Sequence, residues 1–245
     1  MRRLLVGAVV TVSLALSGCG GGGGGDDAPS VKNTAEGFWS GTSSAGYNVD
    51  LAILENGETW GVYASGSTIF GALQGTASGS GSSFNANGTD YNFTSGTATA
   101  GSITGTVTEK SSIRGTSSLG PSVSLTYQST YDRPASLSEL AGTYSFIGRS
   151  ARASLLPATV AINANGAFSL IQSGCTSNGS FSPRPSGKNI FDVSVSFSGP
   201  TCALGNGSSA KGIAYLDTTT RPFRLSALAL RDDRNDGLIV LGTKR

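Results

Sequence analysis

Apolar and polar positions alternate over short runs along most of the chain. Val193, Val195 and Phe197 are separated by single serines. That is the period of strands with one face buried and the other wet. Comparable runs rich in Thr, Val, Ile, Phe and Tyr are Asn48–Leu54, Thr59–Ala64, Tyr91–Thr94, Ser102–Thr108, Val123–Thr130, Phe191–Phe197, Gly212–Leu216, Phe223–Leu230 and Leu238–Gly242. Asn-Gly pairs lie between or beside them at Asn56-Gly57, Asn87-Gly88, Asn165-Gly166, Asn178-Gly179 and Asn206-Gly207, with Asp236-Gly237 as a further candidate. Both residues of such a pair tolerate positive φ, so each reads as a hairpin turn. Ser136-Leu137-Ser138-Glu139 is a capping box before one helical turn. The pattern predicts an all-β protein of antiparallel meanders, closed as barrels or stacked as sandwiches to hide their edges.

The grammar repeats. Glu36-Gly37-Phe38-Trp39 opens one half and Leu140-Ala141-Gly142-Thr143-Tyr144 the other. Each is followed by an apolar strand, an Asn-Gly turn and another strand, with a longer insert in the second copy. Asp132-Arg133-Pro134 reads as the joint. Two domains follow, 36–131 and 132–245, each of about a hundred residues, a size that suits a small barrel.

The N-terminus has a different character. Met1-Arg2-Arg3 is a basic start, and Leu4–Leu16 is apolar apart from Thr11 and Ser13. The run is too short to span a membrane and ends in small residues, so 1–18 reads as a secretory signal. Leu16-Ser17-Gly18-Cys19 resembles the lipobox of bacterial lipoproteins. The resemblance implies a lipidated Cys19 as the first mature residue and, with Gly20 rather than Asp after it, sorting to the outer membrane. The membrane is then a partner through the acyl chains on Cys19, palmitate among them. Residues 19–35, with six glycines from Gly20 to Gly25, read as a flexible tether. A glycine run after the lipid cysteine is similar to that of neisserial surface lipoproteins of the factor H-binding and transferrin-binding types. The Thr/Gly/Ser-rich strand Gly101–Val107 resembles the barrel lobes of the transferrin-binding type. Gly-x-Trp and Gly-x-Tyr at the start of a first strand are similar to the opening of lipocalin and avidin barrels. There the aromatic plugs one end of the calyx, a place that Trp39 and Tyr144 would take here. The likenesses extend to strand grammar, and no ligand-contact residues carry over.

Composition narrows the chemistry. His is absent, which excludes Ser-His-Asp and Cys-His catalysis and imidazole metal sites. With Cys19 assigned to lipid, Cys175 and Cys202 remain, and export favours their pairing as a disulfide. Glu55 and Glu58 flank a turn, either as paired carboxylates or as solvated hairpin residues. Asp232-Asp233-Arg234-Asn235-Asp236-Gly237 is either an oxygen-rich cation loop or a plain turn, and the EF-hand alternation fails there. Trp60 and Tyr63 point to opposite sides of one strand, so one of them can face outward as a partner anchor. Residues 20–131 carry a net charge of −5 and residues 132–245 one of +5. That split fits lobes that attract each other, an anionic partner for the second lobe, or mere drift of solvated faces. No basic run is dense enough for nucleic acid. These readings point to a non-enzymatic binding module without cofactor or metal, on the outer membrane, for a host protein or a small apolar ligand. The alternative is a periplasm-facing structural lipoprotein or inhibitor of an envelope enzyme.

Overall fold

A computed structural model describes residues 32–66, 68–150 and 153–245, with only the main chain at Leu156. Residues 1–18, read as a secretory signal, Cys19 and most of the expected tether lie outside the described residues. Lys32–Arg245 forms one compact unit.

The unit contains two closed eight-stranded antiparallel barrels in which every strand pairs with its sequence neighbours. The first comprises β1 (Gly37–Ser43), β2 (Asn48–Ile53), β3 (Glu58–Ser65), β4 (Thr68–Ser80), β5 (Ser83–Asn92), β6 (Thr97–Thr108), β7 (Ser112–Ser117) and β8 (Ser122–Gln128), with β8 closing on β1. A 3₁₀ turn, Ser129–Asp132, and a single helical turn, α1 (Leu137–Leu140), lead to the second. Its strands are β9 (Gly142–Ser150), β10 (Ser154–Ile162), β11 (Ala167–Gln172), β12 (Cys175–Pro183), β13 (Phe191–Ser198), β14 (Ser209–Asp217), β15 (Arg224–Arg231) and β16 (Gly237–Lys244). Here β16 closes on β9. The helical turn follows the capping box, and Ser136 Oγ accepts from the Glu139 amide.

The repeat is visible in the barrel floors. Trp39 Nε1 donates to the Ala35 carbonyl at 2.8 Å, and Tyr144 Oη donates to the Leu140 carbonyl at 2.8 Å. Each plugs its barrel through a bond to the residue four positions earlier, and each is essentially inaccessible. The last tether residues are packed rather than loose. Asn33 Oδ1 accepts from the Gly79 amide, Asn33 Nδ2 donates to the Ala77 carbonyl, and Ala35 is fully buried.

Two of the Asn-Gly pairs are not turns. Asn87-Gly88 sits in mid-β5, with Gly88 opposite Gly75, and Asn178-Gly179 sits in mid-β12. At Gly179 a side chain would lie 2.5 Å from the ring of Phe168, which covers the strand there. Asn56-Gly57 and Asn165-Gly166 do turn the β2–β3 and β10–β11 hairpins, with φ near +80° at both glycines. Of the run Tyr91–Thr94 only Tyr91 and Asn92 are strand, as the end of the much longer β5, and Phe93 and Thr94 enter the turn that follows.

The barrels lie side by side. Phe38, Trp60 and Val62 on the outside of the first meet Ile213, Leu228 and Ile239 on the outside of the second in one buried cluster. Phe38 and Tyr215 rings are 4.5 Å apart across it. Polar contacts surround the apolar patch. Arg149 donates to the carbonyls of Ile69 and Phe93, Arg234 donates to Gln74 Oε1 at 2.8 Å, and Tyr91 donates to the Arg234 carbonyl. The surface β14–β16 shows the first barrel is therefore apolar on both faces of the sheet, as strands buried on both sides are.

Candidate functional site

The interiors of the two barrels differ. Trp39, Tyr63, Phe84, Leu51, Ile113 and Leu125 fill the first, and a void of about 70 Å³ bounded in part by Leu51, Ala86 and Ile103 is what remains beside β4–β6. In the second, the inward positions of β13 and β15 carry Val193, Val195, Ala227 and Ala229, which are too small to meet in the middle. They leave an apolar cavity of about 300 Å³. Phe146, Phe168, Phe181 and Phe197 form much of the wall. No charged side chain lines it among the described residues. Arg149, next to the lining, turns outward to the first barrel's carbonyls.

Described residues cover both ends of the barrel axis. Tyr144 and Leu140 form the floor with Ile162 and Phe181. Burial there pushes the Tyr144 hydroxyl up to about 12, so it stays protonated and donates to Leu140. At the other end the loop 199–208 folds over the barrel. Cys202 and Leu204 are buried in the core of this barrel, and Thr201 Oγ1 donates to the Ser173 carbonyl at 2.6 Å. The disulfide between Cys175 and Cys202 ties this loop to the β11–β12 turn, with Cα atoms 4.9 Å apart. Cys175 itself faces the cavity. The pair is therefore a clasp on a lid over an apolar chamber.

The other sequence candidates are spent on structure. Glu55 and Glu58 both meet Arg184 of the second barrel, Glu55 at 2.8 Å and Glu58 at 3.8 Å, and Arg184 also holds Asp192. They are partly exposed hairpin residues that also ion-pair at the barrel joint, and the opposite charges of the two halves meet here. Asp232 accepts from Ser209, Asp233 pairs with Arg231, and Asp236 Oδ1 accepts from the Gly237 amide, so the acidic run is the β15–β16 turn. Trp60 points outward, as one member of the Trp60/Tyr63 pair should, and its partner is the second barrel. Tyr63 packs in the first barrel's core and donates to Asp90 at 2.9 Å. Burial raises the pKa of both groups, so that contact is a structural hydrogen bond. The sequence suggested a calyx for a small apolar ligand but did not say which lobe holds it or which residues line it. The chamber's signal was present as small residues at alternate positions of Leu225-x-Ala227-x-Ala229.

No protein-family model and no curated protein matches the sequence. Among solved structures, the chain is similar to a "putative outer membrane protein" from Bacteroides fragilis, at 11% identity and a TM-score of 0.24 over 86% of this chain and 96% of that one. At that score the likeness says nothing about activity.

Proposed function

We propose that the protein is a lipid-anchored, non-enzymatic binding module of the outer membrane whose second barrel holds a small apolar ligand. The observation that carries this reading is the uncharged chamber under a disulfide-clasped lid. Ligand sites are concave, mostly apolar and largely preformed. An apolar cavity of about 150 Å³ holds benzene, so about 300 Å³ has room for roughly a dozen carbons. The lining offers nothing to neutralise a buried charge, so selectivity falls on size and apolarity. The anchor rests on Leu16–Cys19 and the tether on the glycine run that follows.

Two experiments test the two halves of the proposal. Native mass spectrometry of protein prepared without organic extraction should find a retained apolar mass. 1-Aminonaphthalene, small enough for the chamber, should brighten on titration with wild type and not with Ala229→Trp, which fills the chamber. A wild type with no retained mass and no brightening would end the ligand reading. Metabolic fatty-acid labelling should vanish in Cys19→Ser, and label that persists would end the anchor.

A further inference from the structure

The wall of the second barrel has a seam. Strands β10 and β11 are joined by an Asn-Gly turn, yet they are in register at one pair only, Ile162↔Phe168. Their counterparts in the first barrel, β2 and β3, are zipped over six pairs from Asn48↔Ala64 to Ile53↔Thr59. Each seam strand is held on its other side, β11 by β12 along its whole length and β10 by β9 apart from a bulge between Leu155 and Ala158. The separation is therefore a local parting between two ordered edges. Beyond the Ile162↔Phe168 pair, one side-chain bond is seen to cross it among the described residues, from Gln172 Nε2 to the Pro157 carbonyl at 2.9 Å. Proline has no amide to offer a ladder and belongs on such an edge. Residues of both edges line the chamber, among them Ala158 and Val160 on β10 and Leu170 on β11. Beside them Ile171 stands 76% exposed. An unpaired edge bearing an exposed isoleucine is a liability unless something apolar passes along it.

From this seam we propose that the chamber is loaded sideways through the β10–β11 parting, by a single unbranched alkyl chain whose polar end stays outside. The inference rests on the ligand reading above and adds the ligand's class and its route. Among the described residues floor and lid cover the axial ends, and the parted wall offers the route. A chain of roughly a dozen carbons fills the chamber. A head of any charge remains in water, because the uncharged lining cannot take it in. Gln172 acts as a latch across the opening and positions no reacting atom.

The test uses the full chain carrying Cys19→Ser, so that no detergent competes for the chamber. The probe is dodecylamine dansylated on its nitrogen. Ala158→Cys and Gln172→Cys together place thiols where the Ile162↔Phe168 register would continue, and a bismaleimide bridges them without touching the native disulfide. Bridging should slow probe association by at least about tenfold, as gating of a buried site does. Protein loaded first and bridged afterwards should carry the probe through gel filtration, whereas unbridged protein should shed it. Bridged protein that takes up and releases the probe at the unbridged rate would overturn lateral loading while leaving the chamber as the site. Failure of the unbridged chain to bind the probe at all would instead overturn the ligand reading. Gln172→Ala gives a second handle without chemistry. It should speed association and release together with little change in affinity, and unchanged rates would remove the latch.

Discussion

The two barrels have the same strand order, the same floor bond and the same Asn-Gly turn in their first long hairpin, yet one is solid and the other hollow. In the first, Trp39, Tyr63 and Phe84 reach the axis and leave little unfilled. In the second, Val193, Val195, Ala227 and Ala229 stop short, a disulfide-clasped loop covers the top, and the β10–β11 hairpin parts above its turn. The meander topology thus sets the wall, and the size of the inward side chains decides whether the barrel is a core or a container. The solid barrel also shows the container its outer surface. Trp60, an outward aromatic that would otherwise seek a partner, is covered by Ile213 and Leu228.

The difference can be tested by substitution, beginning where the effect should be largest. Trp39→Ala removes the plug of the solid barrel and should cost about 3–5 kcal/mol in chemical denaturation, the range for truncating a large buried aromatic. A loss under about 1 kcal/mol would mean that the first barrel is not close-packed. Replacing Cys175 and Cys202 together by Ser frees the lid of the hollow barrel. On the loop-entropy model this costs roughly 3–4 kcal/mol, and ligand release should quicken as well. A variant of unchanged stability and unchanged release would deny the clasp. Next come two alanines facing the two interiors. Ala77→Leu adds bulk to the filled barrel and should cost about 1–3 kcal/mol. Ala229→Leu adds the same bulk to the chamber and should shift stability by less than about 1 kcal/mol while weakening probe binding. Equal costs at the two sites would erase the contrast.

The smallest effect concerns the joint. Asp132, on the linker, accepts from Lys110 of the first barrel at 2.8 Å, Lys188 of the second at 2.9 Å and Tyr127 at 3.0 Å. The hydrogen bond from Lys110 is the main reason its pKa is lowered to about 2, with Lys188 and Tyr127 adding to it. A carboxylate depressed in the folded state lends stability that is complete above its unfolded pKa of about 3.9 and is lost as the pH falls toward the folded value. The pairs are partly exposed, so the increment is modest. Thermal melts of wild type should therefore drop slightly more between about pH 4 and pH 2 than those of Asp132→Asn. Parallel curves would show that the linker contacts do not tie the barrels.

Much of the fold could be read from the chain because one-face burial writes itself as alternation. Asp192, Ser194 and Ser196 face water between Phe191, Val193, Val195 and Phe197, and β13 was legible for that reason. β4 was not. Its glycines interrupt the alternation, because Gly71 makes room for the Tyr63 ring and Gly75 lies against the Asn87 carbonyl, where the backbone is extended and closely approached. Asn87-Gly88 misled too, since a glycine pair across two strands looks locally like a hairpin. The packing of the barrels was written in β14–β16, where Ile213, Tyr215, Leu228, Ile239 and Leu241 fill positions that a wet face would give to polar residues. Which barrel would be hollow was hidden for a different reason. Valine and alanine are ordinary strand residues, and whether they meet or leave a gap depends on all eight strands at once.

The most direct measurement is a methyl spectrum of the isotope-labelled chain titrated with dansylated dodecylamine. Shifts confined to methyls that line the chamber, such as those of Val160, Leu170, Val193 and Val195, saturating at one equivalent while Leu51, Ile53, Ile113 and Leu125 stay still, are the expected result. Shifts in the first barrel's methyls, or none in the second's, would contradict the division of the molecule into a solid support and a hollow receptor.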